Sequence, residues 1–302
     1  LKKGPGINIT ELKNREKAVV IDAVKDKYSL PQLLKLLQIS KSSFYYQKKA
    51  MKKPDKYYEL RINIIQFFKE NRNCYGYRLI HSELKKTGIA VSEKIVRRIM
   101  KAEKLTVPEK RMKKYNSYKG EITPEAANLL NRDFYADQPN IKWLTGITEF
   151  AIPAGKVYLS PVIDCFDGMI VSRNVGTAPD SLLVNKMLEV AISTISPSEH
   201  PIVHTDRGSH YRWPGCIDRM NTADLTRSMS KKGCSSDNAA CEGFFGRLKN
   251  EMFYGRSWID VSINSFIDEI NNYIIWYNTK RIKQSLGYMS PVEYRHSLGL
   301  AV

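Results

Sequence analysis

The sequence predicts two small helical units followed by a mixed α/β domain, and three observations carry that expectation. Apolar residues recur at helical spacing up to about residue 104, then at strand spacing from Lys142 onward. Residues 105–140, basic and punctuated by Pro108, Gly120, Pro124 and Pro139, separate the two regimes as a linker. The charge divides nearby. Residues 1–120 hold 30 basic and 11 acidic residues, whereas residues 121–302 hold 18 and 20. The implied domains are 1–50, 51–110, a linker at 111–140, and 141–302.

The helical part reads in order. Residues 1–14 form a polar lead-in, and from Arg15 Val19, Val20, Ala23 and Val24 mark a first helix. Ser29 and Pro31 start a second, filled by Leu33, Leu34, Leu36 and Leu37. Ser40 then caps a helix from Lys41 to Lys49. Helix, helix, tight turn, helix is the grammar of a helix-turn-helix, whose last helix presents Lys41, Ser43, Tyr45 and Tyr46 to a groove. A plain helical packing unit has the same pattern.

The second unit runs over about 56–104. Ile62, Ile64, Ile65, Phe67 and Phe68 form an apolar stripe, and Tyr75-Gly76-Tyr77-Arg78 opens the next helix, closed by Thr87-Gly88. Ser92 caps a helix with Lys94, Arg97, Arg98 and Lys101 on one face and Ile95, Val96, Ile99 and Met100 on the other. In so basic a segment that face points to phosphate contacts, and the segment as a whole to a polyanion partner.

Strands follow at Lys142–Phe150, Lys156–Cys165 and Met169–Gly176, the last two joined by a hairpin turn that accounts for Asp164 and Asp167. A helix over Asp180–Ile195, strands over Pro201–Thr205 and Asp224–Met229, and helices over Asn238–Phe253 and Ile263–Arg281 complete a mixed α/β domain.

Composition excludes other classes. With 42% hydrophobic and 26% charged residues the chain is neither disordered nor collagen-like. No stretch approaches the ~20 apolar residues of a membrane span, and no signal segment opens the chain, so a cytoplasmic, nucleoid-associated location is expected. Leu1 is not an initiator, which suggests a fragment, a processed product or the second half of a fusion. Cys74, Cys165, Cys216, Cys234 and Cys241 form no CxxC pair, and with His204 and His210 they fit no zinc spacing.

Two acids stand out. Asp206 follows an apolar strand, and Glu242 lies on a later helix with thirty-five residues between them. A carboxylate at a strand end and one on a helix can converge on divalent cations. In two-metal phosphoryl transfer one ion activates the attacking oxygen and the other stabilises the leaving oxygen. Lys249, seven residues after Glu242, falls on nearly the same helix face and is suited to a phosphate.

Four stretches make a resemblance specific: Trp143-Leu144-Thr145-Gly146-Ile147-Thr148, His204-Thr205-Asp206-Arg207-Gly208, Asp237-Asn238-Ala239-Ala240-Cys241-Glu242-Gly243-Phe244-Phe245, and Tyr273 to Asn278 with Arg281. Leu286-Gly287-Tyr288, Ser290-Pro291 and Tyr294 continue it. Residues 143–295 resemble the catalytic core of bacterial transposases of the insertion-sequence-three family, the product of the second open reading frame, within the retroviral integrase superfamily. The basic front half resembles the family's DNA-binding helices, including Tyr75-Gly76-Tyr77-Arg78.

The resemblance implies an RNase H-like fold and an Asp, Asp, 35 residues, Glu triad. It implies a two-metal Mg²⁺ or Mn²⁺ site, with strand cleavage and strand transfer at the ends of the element and into target DNA. A homo-oligomer and an upstream fusion half are implied as partners. Asp206 and Glu242 take the second and third triad places. The first place is Gly146, sixty residues before Asp206, which lacks a carboxylate. Glu149 is a poor replacement, because strand alternation turns it to the other face. The family's histidine after the arginine is Lys283 here, still a cation suited to DNA beside Arg281. An engineered change and natural decay both explain Gly146. A non-catalytic DNA-binding repressor or domesticated factor is the alternative function, and a nuclease on the same fold a more distant one.

Overall fold

The structure, a computed structural model, describes residues 12–51, 55–107 and 126–300. The lead-in at 1–11, the basic run Lys110–Lys114 and the first part of the expected linker lie outside the described residues. The chain divides into two compact units, 1–63 and 64–302.

In the first unit, α1 (Asn14–Val24), α2 (Leu30–Leu36) and α3 (Lys41–Met51) enclose Ala18, Ile21, Leu33, Leu37, Ile39 and Phe44. The Ser40 hydroxyl accepts the Ser43 amide at 3.1 Å, so α3 starts where the sequence placed it. Lys41, Tyr45 and Tyr46 are exposed, and Ser43 is half-buried with its hydroxyl taken up by Ser40.

Three more helices follow: α4 (Tyr58–Glu70), α5 (Tyr77–Lys86) and α6 (Glu93–Ala102). On α6 the face is as expected. Val96, Ile99 and Met100 are buried, and Lys94, Arg97, Arg98 and Lys101 are exposed.

The sheet combines β1 (Lys142–Thr145), β2 (Thr148–Ile152), β3 (Gly155–Asp164), β4 (Ile170–Gly176), β5 (Ile202–Thr205) and β6 (Thr226–Met229). The single strand expected at 142–150 is split into β1 and β2. Both pair antiparallel with the same edge of β3 in one continuous register, Thr145 opposite Val162 and Thr148 opposite Leu159. The break therefore inserts no residue. That register places Pro161 opposite Gly146, and proline has no amide hydrogen to keep the ladder closed. β4 covers the other edge of β3, β5 pairs parallel with β1, and β6 parallel with β5. Residues 126–132, expected as linker, instead follow the outer edge: the Met229 amide donates to Ala127 O at 3.2 Å and the Leu129 amide to Ser228 Oγ at 2.9 Å.

Helices cover both faces. α7 (Ser181–Ile192) and α8 (Pro214–Thr222) pack on Trp143, Val162 and Val203. α9 (Ala239–Leu248) and α10 (Ile263–Thr279) pack on Leu144, Phe150, Leu159 and Ile163. Alternation along the strands makes this two-sided core, odd and even residues serving opposite layers. α11 (Pro291–Ser297), begun by a capping box between Ser290 and Glu293, closes the chain.

Candidate active site

β1 and β5 run parallel in register to Thr145 and Thr205, so the next residues, Gly146 and Asp206, leave the sheet side by side. The Asp206 carboxylate accepts the Gly208 amide at 2.8 Å, an Asx turn that holds the side chain at the strand end. A Cβ on residue 208 would lie 2.8 Å from Asp206 Oδ1, so only glycine permits this closure.

The third position comes from α9, whose first turn carries Glu242. A Cβ built on Gly146 would lie 3.3 Å from Phe245 Cε2, 3.4 Å from Cys241 Sγ and 3.7 Å from Asn238 Nδ2. Those residues bracket Glu242 on its helix. Residue 146 thus points at the start of α9, toward the turn that bears the glutamate.

The electrostatics agree. Burial raises the Asp206 carboxyl above its ordinary range, against the pull of the Gly208 amide and His210. Burial and the Asp206 charge together raise Glu242. Beside them the Asn238 amide donates to Thr145 O at 3.3 Å, while its Oδ1 and the Thr205 hydroxyl are buried without partners among the described residues.

These residues do not complete a metal site. Among the described residues no group of three or more His, Cys, Asp or Glu side chains stands ready to hold an ion. The acids here are Asp206 and Glu242, and position 146 beside them is a glycine. Glu149 does not fill the gap: it is exposed, bonded to the Tyr158 hydroxyl at 2.8 Å and paired with Lys156. His204 is buried between the Ser228 and Ser230 hydroxyls.

Several expected contacts move. Arg281 is buried and paired with Glu251 at 2.6 Å. Lys283 donates to Asp167 O at 2.8 Å and Gly168 O at 3.1 Å, and burial pulls its ammonium down to about 7. Both were expected on DNA; the fold has used them internally, because their partners lie far off in sequence. Arg78 is exposed, as are the four basic residues of α6. Lys249 begins a π-turn after α9 and rests 5.4 Å from the centre of the Phe150 ring. Asp164 and Asp167, expected as turn residues, also bind the guanidinium of Arg295 at 2.8 and 2.7 Å.

Sequence reasoning passed over Asp237 and Asn238 as individual actors. Asp237 is buried, held low by Arg132, and accepts the Lys231 amide and the Asn128 side chain, which fixes the loop ahead of α9. Polar residues immediately before a helix that bears a site acid were the available signal.

A mixed five-position sheet with helices on both faces, and acids converging from β5 and α9, defines an integrase-type core. Family profiles agree: an integrase core domain matches residues 136–235 and again 242–298, and an HTH-like domain matches 56–114. The chain belongs to the insertion-sequence transposases of the integrase superfamily, in the group that includes those of element IS3. It is 54% identical over 300 residues to a probable transposase for insertion sequence element IS1353 of Shigella flexneri, covering 99% of this chain but 58% of that protein. The chain thus spans little more than half of that relative. It is 39% identical to a putative transposase, InsK, for element IS150 of Escherichia coli K12, covering 92% of this chain and 97% of the relative. Transposase InsF for IS3A of the same organism is 28% identical over 93% of this chain and 98% of its own length. Among solved structures, the HTLV-2 integrase catalytic core domain in complex with magnesium is 16% identical with a TM-score of 0.39, covering 52% of this chain and 97% of that one. No helix among the described residues is long and apolar enough to cross a membrane.

Proposed function

We propose that this chain binds the ends of its own mobile DNA element and carries the strand-cleavage and strand-transfer core of a transposase, disabled at residue 146. One observation carries the reading: Gly146, Asp206 and the start of α9 meet at one end of the sheet, with a side-chain direction at 146 aimed beside Glu242. Asp206 and Glu242 are then the remaining ligands of a Mg²⁺ or Mn²⁺ pair, and an aspartate at 146 would supply the third. Bound to a complete acidic site, such ions activate one oxygen and stabilise another in phosphoryl transfer. Lys41, Tyr45 and Tyr46 on α3 and Lys94, Arg97, Arg98 and Lys101 on α6 are the proposed DNA contacts. A homo-oligomer bridging two element ends and an upstream partner half belong to the same proposal.

The test is Mg²⁺-dependent cleavage and strand transfer on element-end DNA, comparing the chain with Gly146→Asp and including any upstream half. Activity only in Gly146→Asp is expected. Full activity with Gly146 in place would overturn the site assignment. Binding without activity in either protein would favour the second reading, a DNA-binding protein without catalysis, which the incomplete acid set motivates.

A further inference from the structure

The residues 64–302 unit contains a second basic feature at the end of the sheet away from the carboxylates. Gly146 and Asp206 stand at the C-terminal ends of β1 and β5, whereas the β3–β4 turn lies beside the start of β1, since Asp164 pairs with Trp143. There a cavity of about 920 Å³ opens between the start of α5, Arg247 of α9, the turn at 165–168 and the segment after α10.

Its charges can be accounted for one by one. Asp167 is satisfied by Arg295 and Arg281 by Glu251, and the Lys283 ammonium donates to two carbonyls. Asp137, exposed, is the remaining acid among the lining residues. Arg78 and Arg247 are both exposed, and among the described residues neither has an acidic partner. The fold has spent every other cation of this cleft and left these two facing water.

The cleft also connects to α6. The Tyr77 ring, on the cleft wall, carries the Arg78 guanidinium 5.3 Å from its centre and that of Arg97 at 5.5 Å. Arg97 belongs to the exposed basic face of α6, so Tyr77 joins that face to the cleft wall, carrying a guanidinium from each. A first turn of α5 begun by Gly76, without a side-chain cap, adds the positive end of a ten-residue helix to the same wall.

We infer that the cleft is a binding site for the DNA phosphodiester backbone, continuous with the α6 contacts and held by Arg78 and Arg247. The inference rests on the DNA-binding reading for its choice of partner; the location, opposite the carboxylates, does not follow from it. Guanidinium groups suit phosphate oxygens, and Arg78 and Arg247 are the exposed cleft cations that no acid among the described residues has taken up.

The experiment is fluorescence anisotropy with the full chain and element-end duplex over a range of salt, for the parent, Arg247→Gln, Arg247→Lys and Lys101→Gln. Arg247→Gln should weaken binding about three- to tenfold and lower the log–log salt slope by about 1, with Arg247→Lys keeping the slope. Thermal melting checks that the variants remain folded. Parental affinity and slope in Arg247→Gln, with loss in Lys101→Gln, would overturn the cleft and leave the α6 reading standing. No DNA binding by the parent would remove the broader reading instead. Capture of poly-glutamate that Arg247→Gln abolishes, with DNA affinity unchanged, would overturn the inference in favour of an acidic protein partner.

Discussion

Two pairs of carboxylates stand at opposite ends of one sheet, and the fold treats them in opposite ways. Asp164 and Asp167 are fully enclosed, yet Arg295 bonds both, with the Asn140, Phe166 and Met169 amides completing their shells. Asp206 is half-buried and Glu242 exposed, and neither has a Lys or Arg partner among the described residues; both sit above their ordinary pKa, as burial also raises Asp164, so the missing cation is what sets this pair apart. Burial alone therefore does not mark a working acid. The first pair is charge already compensated by the protein. The second is charge left for something else to compensate.

The comparison breaks most readily at Arg295. Arg295→Met strands two enclosed acids and should cost about 3–5 kcal/mol, measured by urea unfolding. A cost below 1 kcal/mol would mean that the amide donors suffice and the two ends differ less than drawn.

The next effect is smaller and carries two signs. In Gly146→Asp the new Cβ presses on Phe245, which must give by a few tenths of an ångström, and a third negative charge joins the pair. Without divalent ions the variant should lose about 1–3 kcal/mol. Millimolar Mg²⁺ should restore much of that by binding the folded state, raising its melting temperature while leaving the parent unmoved. An equal Mg²⁺ response in both proteins would show that residue 146 is irrelevant to the site.

The smallest effect sharpens the electrostatics. Glu242 keeps its proton longer in the folded than in the unfolded chain, so stability falls as pH rises from the ordinary carboxylate range through its raised value. Glu242→Gln removes that loss. It should melt slightly higher than the parent at pH 7, by a few tenths of a kcal/mol for so exposed a group, and identically at acidic pH. A variant that melts lower at pH 7 would mean that Glu242 already has a compensating partner.

Much of this arrangement was legible in local pattern. Ser40, Ser92 and Asp180 mark helix starts, and the alternation around Phe150 reads as a strand because each rule operates within a few residues. What stayed hidden depends on distant partners. Pro161, fifteen positions from Gly146, splits the first strand. Arg281 reads as a free cation until Glu251 is placed beside it. α8 escaped notice because its buried face amounts to Cys216 and Met220 behind Pro214 and Gly215, too short a pattern to show a period. Asp206 and Glu242, the candidate acids, were picked out by spacing and resemblance. Arg247 was not, because a lone arginine near a helix end has no sequence signature, and its interest arises from the neighbours that have been neutralised around it.

Tyr75 bears on all of this. Its ring is wholly enclosed against Trp276, and its hydroxyl donates to Lys280 O at 3.2 Å and accepts the Ile282 amide at 2.9 Å. One phenol thus ties the root of α5 to the chain leaving α10. That single buried ring couples the segment leading into the basic helices to α10, whose Tyr273 and Ile274 share a core with Cys241, the neighbour of Glu242.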